Sequence, residues 1–171
     1  MAVDGARGGA DAIPPGRSGN PSRWGRRLPV VVLALLGCVV SGYLALYQYG
    51  VLADVWDPFF GEGSRAVLTS PLSEALPVRD AALGCAAYLF EAVAESAGGR
   101  RRWREHPWTV LLVGATAAAL ALTGLLLVIA QPLLTGTFCT LCLVSAGISF
   151  AVAALVAGEV AAALRVVLDR R

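Results

Sequence analysis

There is no lysine in the chain. All fourteen basic residues are arginine, set against twelve acidic residues and one histidine in 171 residues. His106 stands between Glu105 and Pro107 in a charged connector, and no His, Cys and carboxylate cluster offers a metal site. Neither standard Gly-rich phosphate loop is present. No basic stretch is interleaved with aromatics as a nucleic-acid surface requires, so no nucleic-acid partner is expected. Four cysteines at this length do not make a disulfide framework, and no internal repeat is evident. What the chain has in abundance is apolar side chains, 57% of it, gathered in long blocks. That is too apolar for a soluble domain and implies one small polytopic membrane domain.

Residues 1–27 are rich in Gly, Pro and Arg and read as a disordered tail. The first apolar run covers about 28–49. It is longer than the core of a typical signal peptide, so a retained membrane helix is expected, with Tyr43, Tyr47 and Tyr49 as an aromatic belt. Residues 50–79 form the longest loop, punctuated by Asp57-Pro58, Gly61-Glu62-Gly63 and Ser70-Pro71. Its apolar anchors Trp56, Phe59 and Phe60 suit either an interface or a cover over a site. The second run, about 80–97, is short and carries Glu91 and Glu95; Asp80 is placed to cap it. The third, about 107–131, offers Gly114, Ala115, Ala118, Ala121 and Gly124 for close helix contact. The fourth runs from Phe138 to about residue 158 and continues as an amphipathic basic tail, 161–171.

Arginine placement decides the number of crossings. With four spans, the N-terminal tail, the connector 98–106 and the C-terminus share one side and hold twelve of the fourteen arginines, leaving Arg65 and Arg79 opposite. Positive residues stay inside, so both termini are expected in the cytoplasm of a multi-pass cell-membrane protein. Residues 100–104 read as a topology determinant that also touches anionic lipid, with Trp103 and Trp108 as belt residues. The fold class expected is an all-α membrane protein, a four-transmembrane-helix bundle with a long outer loop between helices 1 and 2.

Cys139-Thr140-Leu141-Cys142 is the stretch with chemistry in it. Cysteines at i and i+3 of a helix share a face and can close a disulfide. The helix start favours a thiolate, and Thr137 as N-cap would put Cys139 at the second helical position. Two small apolar residues in a packed span fit the same spacing, and the pair alone leaves both open. The topology puts it at the extracytoplasmic edge, where disulfides persist. Cys142 would lie about 6 Å into the bilayer, near a lipid-soluble electron acceptor. Cys38 and Cys85 are isolated in apolar runs and read as small core residues. Cys85 lies about 8 Å deep and is a possible auxiliary thiol that could approach the Cys139–Cys142 layer.

At this point the residues resemble the vitamin K epoxide reductase family in its bacterial membrane form. The likeness rests on four features over about 28–160: the four-span core, the long outer loop, the stretch Val67-Leu68-Thr69-Ser70 with Leu76-Pro77-Val78, Leu83-Gly84 and Tyr88, and Phe138-Cys139-Thr140-Leu141-Cys142. The resemblance implies a thiol–quinone oxidoreductase with no metal. Cys142 resembles the cysteine beside the quinone, a menaquinone or ubiquinone. Cys139 resembles its partner, which exchanges with upstream thiols, and Ser70 the loop serine near the quinone. Members usually carry two loop cysteines that relay electrons. Residues 50–79 have none, and Ser64 stands where the second would be. The thiol donor is therefore expected to be a separate thioredoxin-like extracytoplasmic protein. The alternative is an inactive or altered member acting as a membrane scaffold or partner-binding subunit. A transporter is disfavoured, because no charge lies near mid-membrane.

Overall fold

A computed structural model of the chain describes residues 13–14, 18–71, 73 and 77–170. Among these residues there is no strand. The helices are α1 (Trp24–Gln48), α2 (Gly63–Leu68), α3 (Asp80–Ser96), α4 (Arg102–Glu105), α5 (Pro107–Thr135) and α6 (Thr140–Asp169). Most of the expected disordered tail lies outside the described residues, as does Leu76 of the loop motif.

Among the described residues three helices are long and apolar enough to cross a membrane: α1, α5 and α6, with 25, 29 and 30 residues. At 1.5 Å per residue they measure roughly 37–45 Å, more than the ~30 Å hydrocarbon layer. Their outward faces carry exposed Leu35, Leu36 and Val39 on α1 and Leu122, Leu126 and Ile129 on α5. A water-soluble fold buries such stripes; a lipid-facing one leaves them out. Helix α3 has 17 residues, about 26 Å, and buries Glu91 and Glu95 completely.

Val30, Ala94, Val113, Ala117, Val152 and Val156 form a core to which all four long helices contribute. Helix α1 packs mainly on α3, and α5 on α6; α1 also meets α6, whereas α3 and α5 touch sparingly. Small residues set the close approaches. A Cβ on Gly37 would lie 2.7 Å from the Tyr88 ring, and one on Gly114 2.4 Å from Val160. Gly124 similarly meets Ala146. Of the small residues picked out on the third run, these two glycines make the tight contacts with α6.

Several expectations change at the two ends of α3. Asp80 is the first residue of the helix and makes no cap. Its carboxylate accepts from Gln48 Nε2 at 2.6 Å and from Ser73 Oγ at 3.3 Å, which ties the end of α1 and the loop to the start of α3.

At the other end, Arg102 and Trp103 are buried, 2% and 5% exposed, rather than lying on lipid. The cause is the turn at Gly98 (φ +83°), which folds the connector back under the bundle. Arg102 pairs with Glu95 at 2.7 Å and grips both oxygens of Glu159 at 2.6 and 2.8 Å. Arg27 lies 3.5 Å from Glu95 and donates to the carbonyls of Glu95, Ala97 and Gly98, closing the C-terminal end of α3 with a cation. Ser22, just before α1, donates to Glu159. Residues 18–23, read from sequence as tail, are thus held against the bundle, with Asn20 also donating to the Arg100 carbonyl.

Removing one member of a buried ion network leaves the others charged and unpaired, at a cost of about 3–5 kcal/mol. Arg102→Met is therefore expected to lower the thermal unfolding temperature of the detergent-solubilised protein sharply, while Arg100→Met, on an exposed position, leaves it nearly unchanged. Equal melting of the two variants would refute a structural role for the network.

Candidate functional site

Helix α5 ends at Gly136, which turns the chain with a left-handed backbone (φ +67°). Four residues later, at Thr140, α6 begins. Thr137 is not its cap. Cys139 occupies that place, with an extended backbone (φ −105°, ψ 115°), and its sulfur accepts the N–H of Cys142 at 3.1 Å. The Cys139 carbonyl takes the first helical bond, from Leu143. The register differs from the expected one because Gln131, in the last turn of α5, accepts the Cys139 N–H at 2.9 Å and fixes that residue outside the helix.

Cys139 and Cys142 are joined by a disulfide, with Cα atoms 5.2 Å apart. The two sulfurs have different surroundings. Cys139 is fully buried at 0% exposure, whereas Cys142 is half-buried and forms part of a cavity wall.

The loop covers Cys139. Asp57 organises it: its carboxylate accepts from the N–H groups of Phe59 (3.2 Å), Phe60 (3.0 Å) and Ser64 (3.0 Å), from the Ser64 hydroxyl (2.8 Å), and from the Thr140 hydroxyl at the head of α6. Burial works against the charged form, but the bonds from Thr140, Phe60, Ser64 and Phe59 win and hold the carboxyl well below the usual carboxylate range. Gly63 seats α2 against the α5–α6 turn, where a Cβ would fall 2.2 Å from the Phe138 carbonyl oxygen. The Phe60 and Phe138 rings meet with centroids 5.6 Å apart. Ser64, at the position expected of a loop cysteine, is fully buried in this arrangement.

On the other side of the disulfide is a cavity of about 330 Å³ with mostly apolar walls. It lies where α3 and α5 fail to close, with Leu120 and Thr123 on one wall and Gly84 and Tyr88 on the other. Cys142, Ser145 and Ser149 line it from α6, at a spacing that keeps them on one helix face. The Tyr88 hydroxyl donates to the Ser145 carbonyl at 2.7 Å and lies 3.2 and 2.7 Å from the hydroxyls of Ser145 and Ser149. Ser41 Oγ is 3.5 Å from Ser145 Oγ. A disulfide sulfur and a cluster of hydroxyls thus share an apolar chamber, a combination suited to holding a flat molecule with a polar edge beside the sulfur.

The remaining candidates fall elsewhere. Ser70 is buried beyond the end of α2, accepts the Ser73 N–H at 3.5 Å, and does not line the cavity. The Cys85 sulfur lies 3.4 Å from that of Cys38. Among the described residues no three His, Cys, Asp or Glu side chains gather as metal ligands. Sequence reasoning missed Asp57, Gln131, Ser145 and Ser149. The Asp-Pro turn was visible, but its bond to Thr140 spans 83 residues. The 142, 145, 149 spacing was there to be read, and would have pointed to a polar stripe on an otherwise apolar helix.

Residues 28–157 match the sequence model of the Vitamin K epoxide reductase family. No curated protein and no solved structure matches the chain.

The Asp57 bonds give the loop a pH dependence. A carboxyl held below its unfolded value contributes docking energy that is fully present above about pH 4 and is lost as the pH falls further towards its folded value. Protection of the Phe60 and Ser64 amides from hydrogen exchange is expected to fall in wild type as the pH drops below about 4, after correction for intrinsic rates. Asp57→Asn should lose that protection at neutral pH, by roughly 1.5–3 kcal/mol. An unchanged pH profile in Asp57→Asn would remove the carboxylate from this role.

Proposed function

From the premise that the chain belongs to the vitamin K epoxide reductase family, we propose that it is an integral membrane thiol–quinone oxidoreductase, taking electrons from extracytoplasmic dithiols through Cys139 and Cys142 to a membrane quinone. The observation that carries this reading is the unequal disulfide: Cys142 lines an apolar chamber with hydroxyls, while Cys139 is fully buried between Phe138 and Thr140, the two residues that the loop contacts. The cavity volume falls within the roughly 300–1,000 Å³ typical of small-molecule sites. Its apolar walls suit a ring, and its hydroxyls suit a carbonyl edge.

A menaquinone or ubiquinone supplies an acceptor for two electrons and two protons. The chain's residues do the rest. A thiolate of a separate thioredoxin-like protein attacks the Cys139 sulfur, the Cys139–Cys142 bond breaks, and Cys142 leaves as a thiolate. Cys142 is the third residue of α6, so the unpaired N–H groups and dipole of the helix start favour that anion. A second partner thiol then resolves the mixed disulfide and leaves Cys139 reduced. The loop has to lift for the first attack, because Cys139 is sealed. Tyr88, Ser145 and Ser149 supply hydroxyl donors along the cavity wall. Ser70 stands outside that wall and in this reading positions the loop through Ser73.

In the same proposal α3 is a second crossing, the chain spans a cell membrane four times, both termini are cytoplasmic, and the cysteine end faces outward. Clustering of Arg27 and residues 100–104 at the opposite end supports this orientation. One observation favours a second reading, a scaffold that kept the fold: Ser64, in place of a loop thiol, is locked to Asp57 and closes the route to Cys139.

Purified protein given dithiothreitol and a fully substituted benzoquinone should reduce the quinone. Cys142→Ala should fall to the uncatalysed rate, and Tyr88→Phe should lose roughly tenfold, the worth of one hydrogen bond. Quinone reduction that survives in Cys142→Ala would sink the enzymatic reading. A wild type that reduces no quinone would favour the scaffold.

A further inference from the structure

Cys38 and Cys85 come from different helices and stand 47 residues apart in sequence, yet their sulfurs lie 3.4 Å from one another. They are the two free cysteines among the described residues. A disulfide needs about 2.05 Å, so a small rotation of each side chain closes the gap. The backbone allows the approach because this stretch of the α1–α3 seam is built from small residues. The Cβ position of Gly42 is 3.5 Å from Cys85 Sγ, and that of Gly84 is 3.3 Å from Ser41 Oγ.

The surroundings of the pair are also distinct from those of Cys142. Neither Cys38 nor Cys85 lines the cavity. Both are half-buried, and the residues next to them, Val39 (70% exposed) and Ala86 (also exposed), lie on the outer, apolar surface of the helices and outside the cavity lining. The seam therefore opens towards the surface that meets lipid, and a water-soluble oxidant has no evident approach to it.

We propose that Cys38 and Cys85 form a second redox-active pair, a reversible cross-link between α1 and α3 that is closed by a lipid-soluble quinone reaching the seam from the bilayer. In the closing step both S–H bonds break and one S–S bond forms. The two electrons and two protons pass to the quinone, which leaves as the quinol. The link lies one residue from Gly84 and three from Ser41 and Tyr88, all of which line the cavity, so its closure fixes the α1–α3 wall of that chamber. The proposal stands independently of quinone reduction at Cys142.

The test uses the full-length chain in detergent micelles, fully reduced, freed of reductant and exposed to duroquinone, a fully substituted benzoquinone that cannot arylate thiols. After acid quenching and alkylation under denaturing conditions, peptide mapping without reductant reads the bonds. The expected result is a peptide containing Cys38 joined to one containing Cys85, in wild type and equally in a variant carrying both Cys139→Ser and Cys142→Ser. Since that variant has no Cys139–Cys142 pair, a link found there supports this site even if the proposed activity fails. Recovery of Cys38 and Cys85 as alkylated thiols, or bonded to Cys139 or Cys142, overturns the proposal. A link that forms in wild type but not in the double variant also overturns it, because the oxidant would then be the other disulfide. Wild-type and Cys38→Ala proteins should melt alike when reduced, and the wild type alone should melt higher after duroquinone.

Discussion

The guanidinium of Arg102 holds this bundle in shape. Helix α3 packs closely on α1 but only sparingly on α5, and Tyr88 bonds its middle to Ser145 and Ser149 of α6. Arg102 supplies a further attachment, by binding Glu95 of α3 and both carboxylate oxygens of Glu159 of α6. The charges are expensive to bury and are stable there only as a set, which makes the arrangement specific: α3 has one place to be. With its lower end tied to α6 and its flank against α1, α3 stands off from α5 higher up, and the chamber beside Cys142 is the space between them.

At the opposite end the same principle works with hydrogen bonds. Cys139 is sealed because its N–H is taken by Gln131, its sulfur caps α6, and the loop above it is gathered by Asp57. The Cys139 N–H in particular would be buried without a partner if Gln131 did not accept it. Together these bonds make the two sulfurs unequal, one enclosed by protein and one set in an apolar chamber. In the proposed function, that inequality would give the dithiol–disulfide pair a direction, with an entry side and an exit side. The absence of loop cysteines matters here, since Ser64 contributes to the seal where a thiol would have contributed to transfer.

Much of this was legible in the sequence, and the part that was not has a common cause. Apolar runs marked α1 and α5 to within about four residues at each end, because lipid exposure demands uniform hydrophobicity along a whole span, whereas α6 continues to Asp169, well past the expected end of its run near residue 158. The cysteine pair was found from spacing alone. The register at its head was not, because Gln131 decides it from a different helix. Residues 100–104 looked like one solvated basic run. The turn at Gly98 makes them unlike: Arg102 is internal, and Arg100 and Arg104 are exposed. Cys85 was read as a possible auxiliary thiol for the Cys139–Cys142 layer and Cys38 as a core residue; their pairing with each other was not legible, because helix packing and not sequence distance brings them together. Local pattern identifies elements; which side chains meet depends on how those elements pack.

Helix α6 runs unbroken from the cysteine end to the ion network. From Thr140 to Glu159 is 19 residues, about 28 Å along the axis, close to the thickness of a bilayer's hydrocarbon layer. In a spanning orientation, the redox pair and the buried charges therefore mark the two faces of the membrane on a single rod. A thicker membrane would draw Glu159 and its partners towards acyl chains or tilt the rod, and a thinner one would lift the cysteines away from the lipid. In that orientation the length of α6 between Thr140 and Glu159 would tie the setting of Cys142 to the thickness of the surrounding lipid.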